Sequence, residues 1–155
     1  MGYNGGMQKN SAIFIQGVFM FVAIGAFAFL LWEPHIEGRN AEATFFEIYF
    51  KDPFLAYAYI ASTPFFIALY QAFKIFGYIR QSQMFSREII TALRVIRYCA
   101  LVMIGFAIIG EVFIFQMESD DRAGGVFMGL IVILGSLVVF ATAAMLERRA
   151  NDLLT

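Results

Sequence analysis

From Gly17 to Leu31 the chain runs through fifteen residues without one polar side chain. A run of that kind constrains the fold more than any other feature. A helix crossing a hydrocarbon layer roughly 30 Å thick needs about 20 mostly apolar residues at about 1.5 Å of rise each. Four stretches meet that requirement, at about 11–32, 53–79, 98–117 and 124–147, and the third is the inner part of a helix read from 87 to 117. Between them lie predicted outer loops at 33–52 and 118–123 and an inner connector at 80–86. The predicted fold is therefore all-α, a single transmembrane domain of four helices packed as a bundle.

Composition supports lipid as the solvent. Of 155 residues, 61% are apolar or aromatic and only 15% are charged, against about 45–50% and about 25% in soluble domains. A soluble domain of this size has too much surface to hide so many apolar side chains. The first stretch does not read as a cleaved signal peptide. Its apolar run is long and ends in Leu30-Leu31-Trp32-Glu33-Pro34 rather than in a small-x-small site, so it is expected to be a retained helix.

The placement of Lys and Arg gives the chain a direction. Lys9, Lys74, Arg80, Arg87, Arg94, Arg97, Arg148 and Arg149, eight of the eleven basic residues, fall on one side of the four spans. The other side holds Arg39, Lys51 and Arg122 among Glu33, Glu37, Glu42, Glu47, Asp52, Glu118, Asp120 and Asp121. By the positive-inside rule both termini are cytoplasmic, in a multi-pass protein of a bacterial cytoplasmic (inner) membrane.

The flanking segments carry their own signals. Asn40 is placed to cap a short helix over 41–47. Phe45, Phe46, Tyr49, Phe50, Phe54, Tyr57 and Tyr59 then crowd the entry to the second span. Such rings anchor a chain at the headgroup level, and the same cluster suits a lid over a ligand. On the inner side Ser86 is a natural N-cap with Glu88 in the first turn. Arg87, Arg94 and Arg97 share one face of the helix that follows. They form either a basic rim against anionic lipid headgroups or a docking face for an acidic cytoplasmic protein. Gly125 and Gly129 form a GxxxG pattern, continued by Gly135 and Ser136, with Gly105, Gly110, Gly17 and Gly25 in other spans. Small residues of this kind let helices approach closely, within one chain or in a homo-oligomer.

Few residues promise chemistry. Glu111 is the one ionisable side chain well inside a span. A carboxylate there is expensive to bury, so it is expected to face the bundle interior, as a structural hydrogen-bond partner or as part of a site for an ion, proton or polar ligand. Thr63-Pro64 interrupts the second span, and a proline removes one helical hydrogen bond and frees a carbonyl that can line a site or a hinge. Glu111, Thr63 and Pro64 together make the candidate polar site. Gln16 and Gln71 read as glue between helices. His35 is the sole histidine and Cys99 the sole cysteine, so neither a bis-histidine haem site nor a dithiol oxidoreductase can be built. With no phosphate-cradling loop and no nucleophile elbow, we expect no catalytic residues, no cofactor and no metal, and no direct binding of nucleic acid.

One stretch is familiar. Pro64-Phe65-Phe66-Ile67-Ala68-Leu69-Tyr70-Gln71-Ala72-Phe73-Lys74 is followed by Phe85-Ser86, by Ala92-Leu93-Arg94-Val95-Ile96-Arg97-Tyr98, and later by Ile131-Val132-Ile133-Leu134-Gly135-Ser136-Leu137-Val138 with a polar end at Glu147. This resembles the YoaS-like bacterial inner-membrane proteins, a family with four predicted spans and no assigned activity. The resemblance covers the second to fourth spans. It implies a membrane protein often encoded beside a small helix-turn-helix regulator, and supplies no catalytic residues. The functional expectation is a non-enzymatic membrane protein that binds a cytoplasmic partner or senses an envelope signal. The alternative is a small oligomeric transporter or channel component using Glu111.

Overall fold

The computed structural model describes residues 3–36, 44, 46–47, 53–81, 86–116 and 122–154. Four long helices account for nearly all of them: α1 (Tyr3–Ile36), α2 (Pro53–Arg80), α3 (Arg87–Gln116) and α4 (Arg122–Leu154). Each contains a segment long and apolar enough to cross a membrane. At 34, 28, 30 and 33 residues they are about 40–50 Å long. All four overrun the hydrocarbon, because flanking polar residues continue the helical hydrogen-bond ladder outside it. Most of the first outer loop and the connector at 82–85 lie outside the described residues, and with them Asn40, most of the aromatic cluster and the side chain of His35. Within that loop the Thr44 N–H and hydroxyl both donate to Glu47 Oε2, at 3.3 and 3.0 Å, which is the carboxylate half of a capping box.

Neighbours in sequence are neighbours in space: α1 packs on α2, α2 on α3 and α3 on α4, the last pair most extensively. Cross-helix contacts show that each neighbouring pair is antiparallel. Between α1 and α2, Gln16 Nε2 donates to the Phe73 carbonyl at 3.0 Å. The Phe19 and Phe76 rings lie 5.6 Å apart and the Phe27 and Phe66 rings 6.2 Å. Further along, Tyr59 Oη donates to the Leu30 carbonyl at 3.1 Å. Gly77 gives Gln16 its room, since a β-carbon there would stand 3.3 Å from Nε2. Gln16 is therefore interhelical glue, as its type and position suggested. Between α2 and α3, Tyr57 donates to the Phe106 carbonyl and rests against Gly110. Between α3 and α4, Arg94 meets Glu147 near one end while Ile114 meets Gly125 near the other. Both chain termini thus share one end of the bundle, here the termini end.

The core is unevenly distributed. Ile89, Ile90, Ala92, Leu93, Ile96, Cys99 and Ala100 of α3 are buried, as are Ala12, Ala143 and Glu147, and all of these belong to the termini half, against Leu55 and Gly110 at the other end. Farther along α3 the large side chains Leu101, Val102, Ile108, Ile109, Val112, Phe113 and Phe115 are exposed. Apolar side chains hide from water but gain nothing by hiding from lipid tails. The changeover near Tyr98 fits a helix that passes from water into lipid there. There Arg97 lies over the Tyr98 ring at 5.3 Å, and on α2 Lys74 lies over Tyr70 at 5.7 Å, as expected at a headgroup boundary.

Candidate functional site

Three places hold features that lipid-facing helices do not need. The first is at the termini end, where Ser86 caps α3 by accepting the Ile89 N–H at 3.4 Å. Two turns in, Arg94 Nε donates to Glu147 Oε1 at 2.9 Å, and Arg97 Nη1 stands 2.9 Å from Glu147 Oε2. The second contact is an ion pair without hydrogen-bond alignment, leaving Oε2 buried and electrostatically but not directionally satisfied. Glu147 is 5% exposed, whereas the Arg94 side chain is half in solvent at 52%. The arginine face read from the sequence is thus divided. Arg94 and Arg97 turn to the carboxylate on α4, and Arg87 stays exposed with Arg148 and Arg149. The partner on α4 escaped sequence reasoning because it lies 53 residues away; a lone acid among basic residues at a helix end was its only sign.

The second place is Glu111. Its side chain reaches across to α4 and lies on Gly129, where a β-carbon would overlap Oε1. That oxygen is buried and has no hydrogen-bond partner among the described residues. The next glycine, Gly125, receives Ile114 in the same way, with its side-chain atoms 3.1 Å from a β-carbon placed there. The GxxxG pattern is therefore a pair of seats within one chain. Thr63 and Pro64 do not join Glu111. Tyr57, which touches Gly110, marks the level of Glu111 on α2, and Pro64 is about 10 Å farther along the helix. Thr63 is exposed. The Ser62 and Thr63 hydroxyls both donate to the Tyr59 carbonyl, at 2.8 and 3.2 Å, one residue before the Ile60 carbonyl that Pro64 leaves without an N–H.

The third place is a cavity of about 530 Å³ lined from all four helices, by Phe19 of α1, Phe65 and Ala68 of α2, Ile96 of α3, and Gly135 and Ser136 of α4 among others. Its wall is almost wholly apolar, with the Ser136 hydroxyl as the one polar side-chain group in the lining. It lies near the middle of the bundle. Chemically, the three places offer an ion cluster, an acid seated on a glycine and an apolar chamber. Among the described residues no three His, Cys, Asp or Glu side chains gather as metal ligands would.

Residues 38–148 match a family described as "Protein of unknown function (DUF2975)". The chain is also 33% identical over 148 residues to a protein of Bacillus subtilis (strain 168) named "Uncharacterized membrane protein YoaS", a match covering 94% of this chain and 92% of the relative. No solved structure is significantly similar.

Proposed function

This chain belongs to the DUF2975 family, and we propose that it works there as a non-enzymatic membrane protein that docks a cytoplasmic protein and relays the state of the envelope to it. In this reading the membrane is the bacterial cytoplasmic membrane, both termini face the cytoplasm, and the docking surface is the termini end of α3 and α4. The supporting observation is the pattern of α3 from Arg87 to Arg97. Ile89, Ile90, Ala92, Leu93 and Ile96 are buried while Arg87, Glu88, Thr91 and Arg94 are exposed, which is the pattern of a helix in water. A packed projection beyond the hydrocarbon, held to α4 through Glu147, is a rigid platform. Its exposed charge is basic, with Lys9, Arg80, Arg87, Arg148 and Arg149 against Glu88 and Asp152. The partner that complements it is acidic, and a membrane-held helix-turn-helix regulator is the kind of partner suggested by the sequence resemblance.

Reversing Arg87, Arg148 and Arg149 to Glu leaves the Arg94–Glu147–Arg97 cluster in place and removes the attraction. Recovery of the partner from native membranes is expected to fall about tenfold, the scale of losing 1.4 kcal/mol of complementary charge. Undiminished recovery with a normally folded triple variant would count against docking at this face.

Glu111 favours a second reading, a small transporter or channel component working as a homo-oligomer. The support is its buried, unpartnered Oε1, since a polar atom in that condition is costly unless it serves an ion or proton. Proteoliposomes are then expected to show proton or cation flux that Glu111→Gln abolishes. Flux equal in both proteins would remove Glu111 from any transport role.

A further inference from the structure

The apolar chamber suits neither docking nor ion passage. Its lining spans Ile96 to Met103 on α3, Phe65 to Ala72 on α2 and Val132 to Val139 on α4, each about 10 Å of helix. The volume, about 530 Å³, falls within the range of sites that take small molecules. The α4 wall is open: Val132, Gly135 and Val139 line the chamber and are also exposed. Helices α1 and α4 make no substantial contact with each other. The chamber therefore communicates sideways with the bilayer through the seam between α1 and α4. On α3 its lining begins at Ile96, one residue from Arg97, whose guanidinium pairs with Glu147. That end of the molecule carries Lys9, Lys74, Arg80, Arg87, Arg94, Arg97, Arg148 and Arg149 against Glu88, Glu147 and Asp152.

We propose that the chamber is a lipid-binding site. It takes one acyl chain of an anionic phospholipid from the leaflet on the termini side, through the seam between α1 and α4, while the phosphate stays among the basic rim residues. Three observations choose this occupant. The wall offers an incoming polar group almost no partner, so what enters must be apolar. The opening faces lipid, which supplies chains of that kind at high local concentration. The rim selects the charge of the headgroup, as basic pockets beside transmembrane helices do. The chamber is separate from the docking surface, but its rim shares Arg87, Arg148 and Arg149 with it, so the reversed arginine variant keeps the apolar walls and is expected to lose the preference for phosphatidylglycerol.

The test uses the full chain purified in detergent and offered dioleoyl phosphatidylglycerol or dioleoyl phosphatidylcholine, with bound lipid counted by native mass spectrometry. Wild type is expected to retain one phosphatidylglycerol per chain and little phosphatidylcholine. A β-carbon on Gly135 would meet nothing within 4 Å, so Gly135→Leu meets no obstacle at its first side-chain atom, adds bulk at the chamber wall and is expected to lower retention about tenfold. Ala68→Leu fills it from the opposite wall and should act likewise. Unfolding temperatures at or above wild type without lipid show that both variants fold. Retention unchanged in both folded variants would place the lipid on the outer surface and overturn the proposal. Equal retention of the two lipids overturns the selection by charge. A lipid-free dimer overturns the site as well, because a second copy then covers the seam.

Discussion

Removing both Arg94 and Arg97 by substitution with alanine is expected to destabilise the protein by about 3 kcal/mol, and removing Glu147 instead by distinctly less. The asymmetry follows from burial. Glu147 is 5% exposed on α4, facing α3, so without its partners it is a largely buried, uncompensated charge. The arginines have one: Arg94 is half in solvent and Arg97 sits at the headgroup boundary over Tyr98. Left without Glu147, their flexible stems carry the guanidinium groups outward to water and phosphate. Arg94→Ala alone should lose about 1 kcal/mol, since Arg97 still faces the carboxylate. The decisive variant is Arg94→Ala, Arg97→Ala, Glu147→Leu. If the loss in the double variant comes from stranding a charge, an apolar side chain in place of Glu147 recovers most of it. Unfolding in mixed micelles by rising sodium dodecyl sulfate measures all four. A triple variant as unstable as the double would mean that the cluster contributes through packing and not through charge.

That cluster also shows what a sequence of this kind does and does not display. The four spans were legible because lipid demands about 20 apolar residues and little else. Ser86 and the apolar positions from Ile89 to Ile96 made the projection of α3 legible, since capping and helical periodicity are local. The pairing of Arg94 and Arg97 with Glu147 was not. It depends on how α3 and α4 are rotated and on their register, and in lipid most faces are equally apolar, so no pattern points from one helix to its neighbour. Glu111 was legible as an anomaly, but its seat on Gly129 required the same missing register. Thr63 and Pro64 were grouped with it because a proline frees a carbonyl that can line a site, and that reasoning carries no information about depth. The chamber was the least visible of all, being space that no residue fills. Both helix-pair contacts that escaped the sequence are now definite enough to be broken one at a time.

At Gly129 the expected effect is of similar size and opposite kind, too much matter rather than too little. A β-carbon there would overlap Glu111 Oε1, and the obstacle is the end of a side chain confined between two helices. Either Glu111 is pushed from its seat or α3 and α4 move apart, which would also disturb Ile114 on Gly125. Overpacking of this kind costs about 1–3 kcal/mol. Gly129→Val is expected at the upper end, because a branched side chain is larger and stiffer than a methyl. Gly105 is the control: a β-carbon there would meet nothing within 4 Å, so Gly105→Ala should be close to neutral. Coupling provides the sharper measurement. If Glu111 is what Gly129 accommodates, shortening it to Ala should absorb most of the loss caused by Gly129→Ala. The double-mutant cycle would then show an interaction of about 1–2 kcal/mol. Two independent, additive losses would mean that Gly129 serves the approach of the helix backbones and Glu111 only lies nearby.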